Sequence, residues 1–114
     1  MLKPGFGIVD EVDRWKNYAV YEPEKYGCVY IDNGYIDDWW EKLGTMKTYL
    51  HRMNRPGYAL SRWGVTLIPP GSLPIFLEIV SADSRIETDS HLTDLTGKIE
   101  EAIEAKKFMI HFGV

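Results

Sequence analysis

Cysteine is almost missing from this chain. Cys28 is the only one in 114 residues, so no internal disulfide can form. The three histidines, His51, His91 and His111, never fall at H-x-x-x-H spacing or beside a cysteine pair, so a metal site has no local signature. Ten glycines are scattered singly and never group as G-x-G-x-x-G or a P-loop, which leaves nucleotide binding without support. No G-x-S-x-G elbow occurs. Gly71-Ser72-Leu73 has the right strand-to-helix setting, but Pro74 follows where that turn needs glycine, and Ser72 reads as a helix cap. No long apolar run marks a signal peptide or a membrane span, which together with the lone cysteine points to a cytoplasmic protein. No cofactor is expected.

Acidic residues are absent from one long stretch. Between Glu41 and Glu78 there is none, while Lys42, Lys47, Arg52, Arg55 and Arg62 all fall there. From Glu78 to Glu104 eight acidic residues face only Arg85 and Lys98. The basic segment and the acidic helix are expected to be neighbours in the fold. A basic patch for an anionic ligand is the competing reading, but the net charge of −4 opposes nucleic acid.

What is present is an ordinary globular composition, 45% hydrophobic and 26% charged, long enough for one domain over 1–114. The segment from Trp63 to Val80 is the most informative. A buried strand at 64–68 meets prolines at 69, 70 and 74 and passes at once into a helix over 72–80. Those prolines remove three backbone donors, so the corner is rigid and unsuited to holding phosphate. A polar loop over 81–89 leads to a longer helix capped by Asp89 or Ser90. Its buried stripe is Leu92, Leu95, Ile99, Ala102 and Ile103, with Asp94 and Lys98 spaced as an ion pair. Phe108–Phe112 reads as a strand covered on both faces, adjacent and parallel to 64–68.

The N-terminal third reads as a β-meander, with strands at 6–12, 18–21 and 28–31. Asp32-Asn33-Gly34 breaks it, and a short Trp-rich helix follows at about 35–43, with Ile36, Trp39, Trp40 and Leu43 as its apolar stripe. Asp37 and Asp38 are assigned to its first turn, where the helix dipole favours them. Residues 45–63 are undefined, with 46–53 as a candidate strand. The expected fold is therefore α+β: a mixed sheet built from an N-terminal meander and a C-terminal β-α-α-β unit.

Site residues follow from elimination. Cys28 lies in a strand without a cationic neighbour and reads as a small buried hydrophobe. Asp10, Glu11 and Asp13 read as a solvated face. Four tryptophans and seven tyrosines exceed what one small core buries, and surplus Trp and Tyr are the residues that anchor protein interfaces. Trp15, Tyr49, Tyr58 and Trp63 are the expected exposed ones. The leading reading is a non-catalytic protein-binding module, of the kind formed by an immunity-type inhibitor of a toxin or enzyme. It would bind another protein, or a second copy as a homodimer, through Tyr49, Arg52, Tyr58, Arg62 and Trp63. The alternative is a small enzyme or small-molecule binder, with His111 and Ser72 at the C-terminal edge of strands 64–68 and 108–112.

Overall fold

Alternating side chains on three central strands build two separate apolar layers, one on each face of a single sheet. A computed structural model describes residues 2–114. The strands are β1 (Gly5–Val9), β2 (Val29–Tyr30), β3 (Lys47–Leu50), β4 (Pro56–Tyr58), β5 (Val65–Ile68) and β6 (Phe108–Phe112). The helices are α1 (Asn33–Leu43), α2 (Leu73–Ser81) and α3 (Ser90–Ala105). The sheet runs β2-β1-β6-β5-β3-β4 and every pairing is antiparallel. The class is α+β, but the sheet is not mixed.

β5 and β6 are adjacent, as the apolar runs suggested, with Thr66 opposite His111 and Leu67 opposite Ile110. Their relative direction is the reverse of the expectation. One helix between two strands returns the chain parallel; two helices turn it once more and return it antiparallel. The β-α-α-β unit therefore has its helix count right and its strand polarity wrong.

Phe6, Ile68 and Met109 point to the helices, where they meet Ile36, Trp39, Leu43, Phe76, Leu92, Leu95 and Ile99. Val9, Val65, Leu67, Ile110 and Phe112 point the other way. That second face is covered by irregular chain: Tyr18, Tyr26, Cys28 and Val12 pack on it. The expected strand at 18–21 does not form, so the meander is reduced to β1 and β2 joined by a long excursion that contains a 3-10 turn at Pro23–Tyr26. Gly7 makes this close approach feasible. A β-carbon there would lie 2.6 Å from the Tyr26 carbonyl oxygen and 2.9 Å from Cys28 Sγ.

α1 begins two residues earlier than expected. Asp32, which the sequence places in a breaker, is the N-cap and accepts from the Gly34 amide at 2.9 Å. Asp37 and Asp38 then lie beyond the first turn, and the dipole no longer explains them. They are held by ion pairs instead: Asp37 with Arg62, and Asp38 with Arg85. Asp89 caps α3 by accepting from the His91 amide. Ser72 does not cap α2; its Oγ donates to the Lys47 carbonyl at 2.6 Å and ties the proline corner to β3.

The charge expectation is also overturned. The acidic helix α3 packs over β2, β1 and β6. The basic hairpin β3–β4 forms the opposite edge of the sheet. Among the described residues no ion pair joins them.

Candidate functional site

Helices cover the sheet unevenly, and at the β3–β4 edge its helix-side face carries a groove of about 300 Å³. Thr48 and Leu50 of β3 and Thr66 of β5 line it, together with Arg55, the residues of β4 and the loop Ala59-Leu60-Ser61 that follows. The hydroxyls of Thr48 and Thr66 fix that loop. Thr48 Oγ1 donates to the Ala59 carbonyl at 2.7 Å, and the Ser61 amide donates to Thr66 Oγ1 at 2.8 Å. Ala59 is held at φ 66, and His51 at the hairpin's other end at φ 62. A left-handed alanine costs about 1–2 kcal/mol, so these hydrogen bonds hold the loop in a form it would not adopt alone.

The chain leaves this loop through Arg62 and Trp63. The Arg62 guanidinium pairs with Asp37 and lies 4.7 Å from the Trp40 ring centroid. Helix α1 thus fixes the base of the loop with a charge and an aromatic face, a combination that limits rotamer freedom. Trp63 beside it is 81% exposed and Tyr58 is 69% exposed. Trp40 itself is 39% exposed; spacing assigns it to the buried stripe, whereas Tyr35 takes that place inside.

Of the five interface residues expected from sequence, Tyr58, Arg62 and Trp63 lie on this one loop and its adjoining strand. Arg52 is exposed in the hairpin turn. Tyr49 is not part of the surface. Strand alternation turns it to the opposite face, where it is half-buried with its ring 6.5 Å from that of Phe108; Tyr58, opposite Lys47 in the same register, shares that face and borders the groove from the sheet edge. Trp15 is 92% exposed but sits in the excursion between β1 and β2, away from the groove-lining residues.

The alternative site does not assemble. In an antiparallel pair the C-terminal ends of the two strands lie at opposite edges, so β5 and β6 share no C-terminal edge. His111 is 1% exposed, opposite Phe6 and Thr66, with its ring 4.8 Å from that of Phe6. Its Nδ1 has no hydrogen-bond partner, and burial drives its pKa down to about 3. Ser72 is past the far end of β5 with its hydroxyl already committed.

Remaining candidates are occupied by structure. Burial pushes the Cys28 thiol up to about 12, opposite to what a nucleophile needs. Iodoacetamide at neutral pH should therefore alkylate the folded protein at least tenfold more slowly than the urea-unfolded chain, read by intact mass; equal rates would contradict this placement. Asp10 pairs with Lys107 at 2.8 Å, and Asp13 accepts from the Trp15 amide. A second cluster joins α1 to the turn before α3. Asp83 accepts from Trp39 Nε1 and from Arg85, whose guanidinium beside it holds its carboxyl far below the usual range. Tyr35 donates to Asp89 at 2.6 Å, and that bond pushes its phenol up to about 12. Each member has a partner, so the cluster reads as a brace between helices. Among the described residues no three His, Cys, Asp or Glu side chains converge to hold a metal ion, and no helix is long and apolar enough to cross a membrane. No family model, curated protein or solved structure matches this chain.

Proposed function

We propose that this protein is a non-catalytic binding module that captures another protein through the loop from Tyr58 to Trp63 and the groove behind it. One observation carries the reading: Trp63 stands exposed on a loop whose Arg62 is already fixed by Asp37 and Trp40, and Tyr58 stands exposed at the end of β4 where that loop begins. Large aromatics and arginine are the residue types in which binding energy concentrates. Presenting them on a pre-ordered loop reduces the ordering entropy lost on association. An immunity-type inhibitor, which neutralises a toxin or enzyme by covering it, is the concrete form that suits a small acidic domain with this surface.

Capture from an extract of the native host, with quantitative mass spectrometry, tests it. Trp63→Ala and Tyr58→Ala should each lower recovery of the captured partner about tenfold or more, a loss of at least about 1.4 kcal/mol in binding. Both side chains are exposed, so the melting temperature should move by no more than about 2 °C. Recovery that does not distinguish either variant from the parent protein would remove the reading.

A further inference from the structure

We propose that the groove receives an acidic polypeptide segment carrying one large apolar side chain; this rests on the binding reading above and specifies the partner's chemistry. The cations of the β3–β4 hairpin are the starting point, and Arg55 among them lines the groove. Lys47, Arg52 and Arg55 are exposed, and among the described residues none of them forms an ion pair. Lys25, Arg62, Arg85 and Lys107 are each matched with a carboxylate of the chain, whereas Lys3, Arg14, Lys16, Lys42, Lys98 and Lys106, like the three hairpin cations, are not matched among the described residues. What sets the hairpin apart is its sequence: no acidic residue lies between Glu41 and Glu78, so these three cations share one sheet edge with no carboxylate of their own segment, in a protein whose net charge is −4.

The compensating charge lies far off across the fold. Asp94, Glu100, Glu101 and Glu104 are exposed on α3, over the other half of the sheet. The molecule is polarised, with a basic hairpin at one edge and an acidic helix toward the other. An acidic partner is repelled at the exposed face of α3 and attracted at the hairpin, which orients its approach.

Charge alone would give loose association. The groove adds an apolar lining from Leu50, Pro56, Ala59 and Leu60, and its volume of about 300 Å³ suits a side chain better than a whole helix. Arg55 lines it directly, so a carboxylate flanking the inserted apolar residue meets a guanidinium at the rim. Strand addition at β4 is a poorer fit. Leu50 bonds Arg55 and Ala59 bonds Met46, so in the register of β3 and β4 Pro56 and Tyr58 turn their backbones outward. Proline has no N–H to offer, and that blunts the edge. Nucleic acid fits less well too. Tight duplex binding engages on the order of 6–10 phosphates, more than the three hairpin cations can reach, and α3 repels the rest.

A library of random 12-residue peptides, selected on the immobilised full-length protein, tests this. The expected winners carry Asp or Glu on either side of Leu, Ile, Phe, Tyr or Trp. Their affinity should fall at least tenfold between 50 and 500 mM NaCl, and at least tenfold in Arg52→Glu/Arg55→Glu at unchanged melting temperature. Winners without acidic residues, bound equally by the charge-reversed protein but lost in Trp63→Ala, would overturn the acidic partner and leave the binding face standing. Tighter binding of a 12-nucleotide thymidine strand than of any peptide would overturn it in favour of nucleic acid. Enrichment of no peptide would overturn both readings.

Discussion

Acidification from neutrality to about pH 4.5 should weaken the folded state by roughly 2–3 kcal/mol through His111 alone. The side chain is sealed between Phe6 and Thr66 on the helix side of the sheet, and its Nδ1 has no partner. Nothing nearby stabilises an imidazolium, so the folded-state pKa is lowered to about 3 from the ordinary 6.5. Between these values the unfolded chain binds a proton that the folded chain refuses. The stabilising contribution is complete above pH 6.5 and is lost as pH falls from there toward 3. His51, whose pKa is lowered by burial and then by Arg55 and Arg52, adds a smaller effect of the same sign. Asp83 and Asp89 also have lowered values and lose their contribution on acidification, but only once pH drops below the ordinary carboxylate value of 3.8. The window between about pH 6.5 and 4 therefore belongs mainly to histidine. Urea unfolding across it should show a steep loss of stability in the parent protein and a much shallower one in His111→Phe. Equal slopes would mean that His111 reaches water or a partner in the folded state.

Gly7→Val is expected to cost about 3 kcal/mol or more, beyond the usual range for an overpacked core. Gly7 lies in β1, where its backbone conformation suits any residue; the constraint is space. Its missing β-carbon is replaced by the Tyr26 backbone and side chain, at 2.6 and 2.7 Å from where that carbon would stand. A branched side chain would lift the excursion between β1 and β2 off the face formed by Val65, Leu67, Ile110 and Phe112. Gly71→Ala is the matched control. Nothing lies within 4 Å of the point its β-carbon would occupy in the exposed turn before α2, so stability should stay within about 0.5 kcal/mol of the parent. Denaturant midpoints of the two variants decide the matter. A mild Gly7→Val would show that the irregular layer is only loosely laid on the sheet.

The C-terminal half was legible because its patterns are strong. β5, α2, α3 and β6 fall within about a residue of their expected bounds, fixed by largely apolar strands, a proline stop and an unbroken stripe from Leu92 to Ala102. The N-terminal third was not. Tyr18-Ala19-Val20-Tyr21 is β-prone, yet β1 has only two edges, and β6 and β2 occupy both. The segment takes neither outer edge of the sheet and buries Tyr18 as a cover instead, its hydroxyl accepting from the Asp13 amide. Propensity gave way to pairing that only long-range topology decides. The same limit explains the charges. Counting along the chain sets the basic and acidic stretches close together, whereas strand order separates them by most of the sheet. For the surface, exposure of Tyr58 and Trp63 agreed with their turn-like context, and Tyr49 did not because the pleat turned it inward. The fixing of Arg62 by Asp37 and Trp40 spans 25 residues to Asp37 and had no local sequence signal.

Two tryptophans of similar exposure separate a binding face from mere surface hydrophobicity. Neither lines the groove itself; Trp63 adjoins the fixed Arg62 on the loop that continues from the groove residue Ser61, while Trp15, at 92% exposure, stands on the excursion between β1 and β2. Affinity for the captured partner, measured by titration calorimetry, should fall about thirtyfold or more in Trp63→Ala and remain within about twofold of the parent in Trp15→Ala. Equal losses in both variants, or a loss confined to Trp15→Ala, would contradict the assignment of binding to the loop from Tyr58 to Trp63.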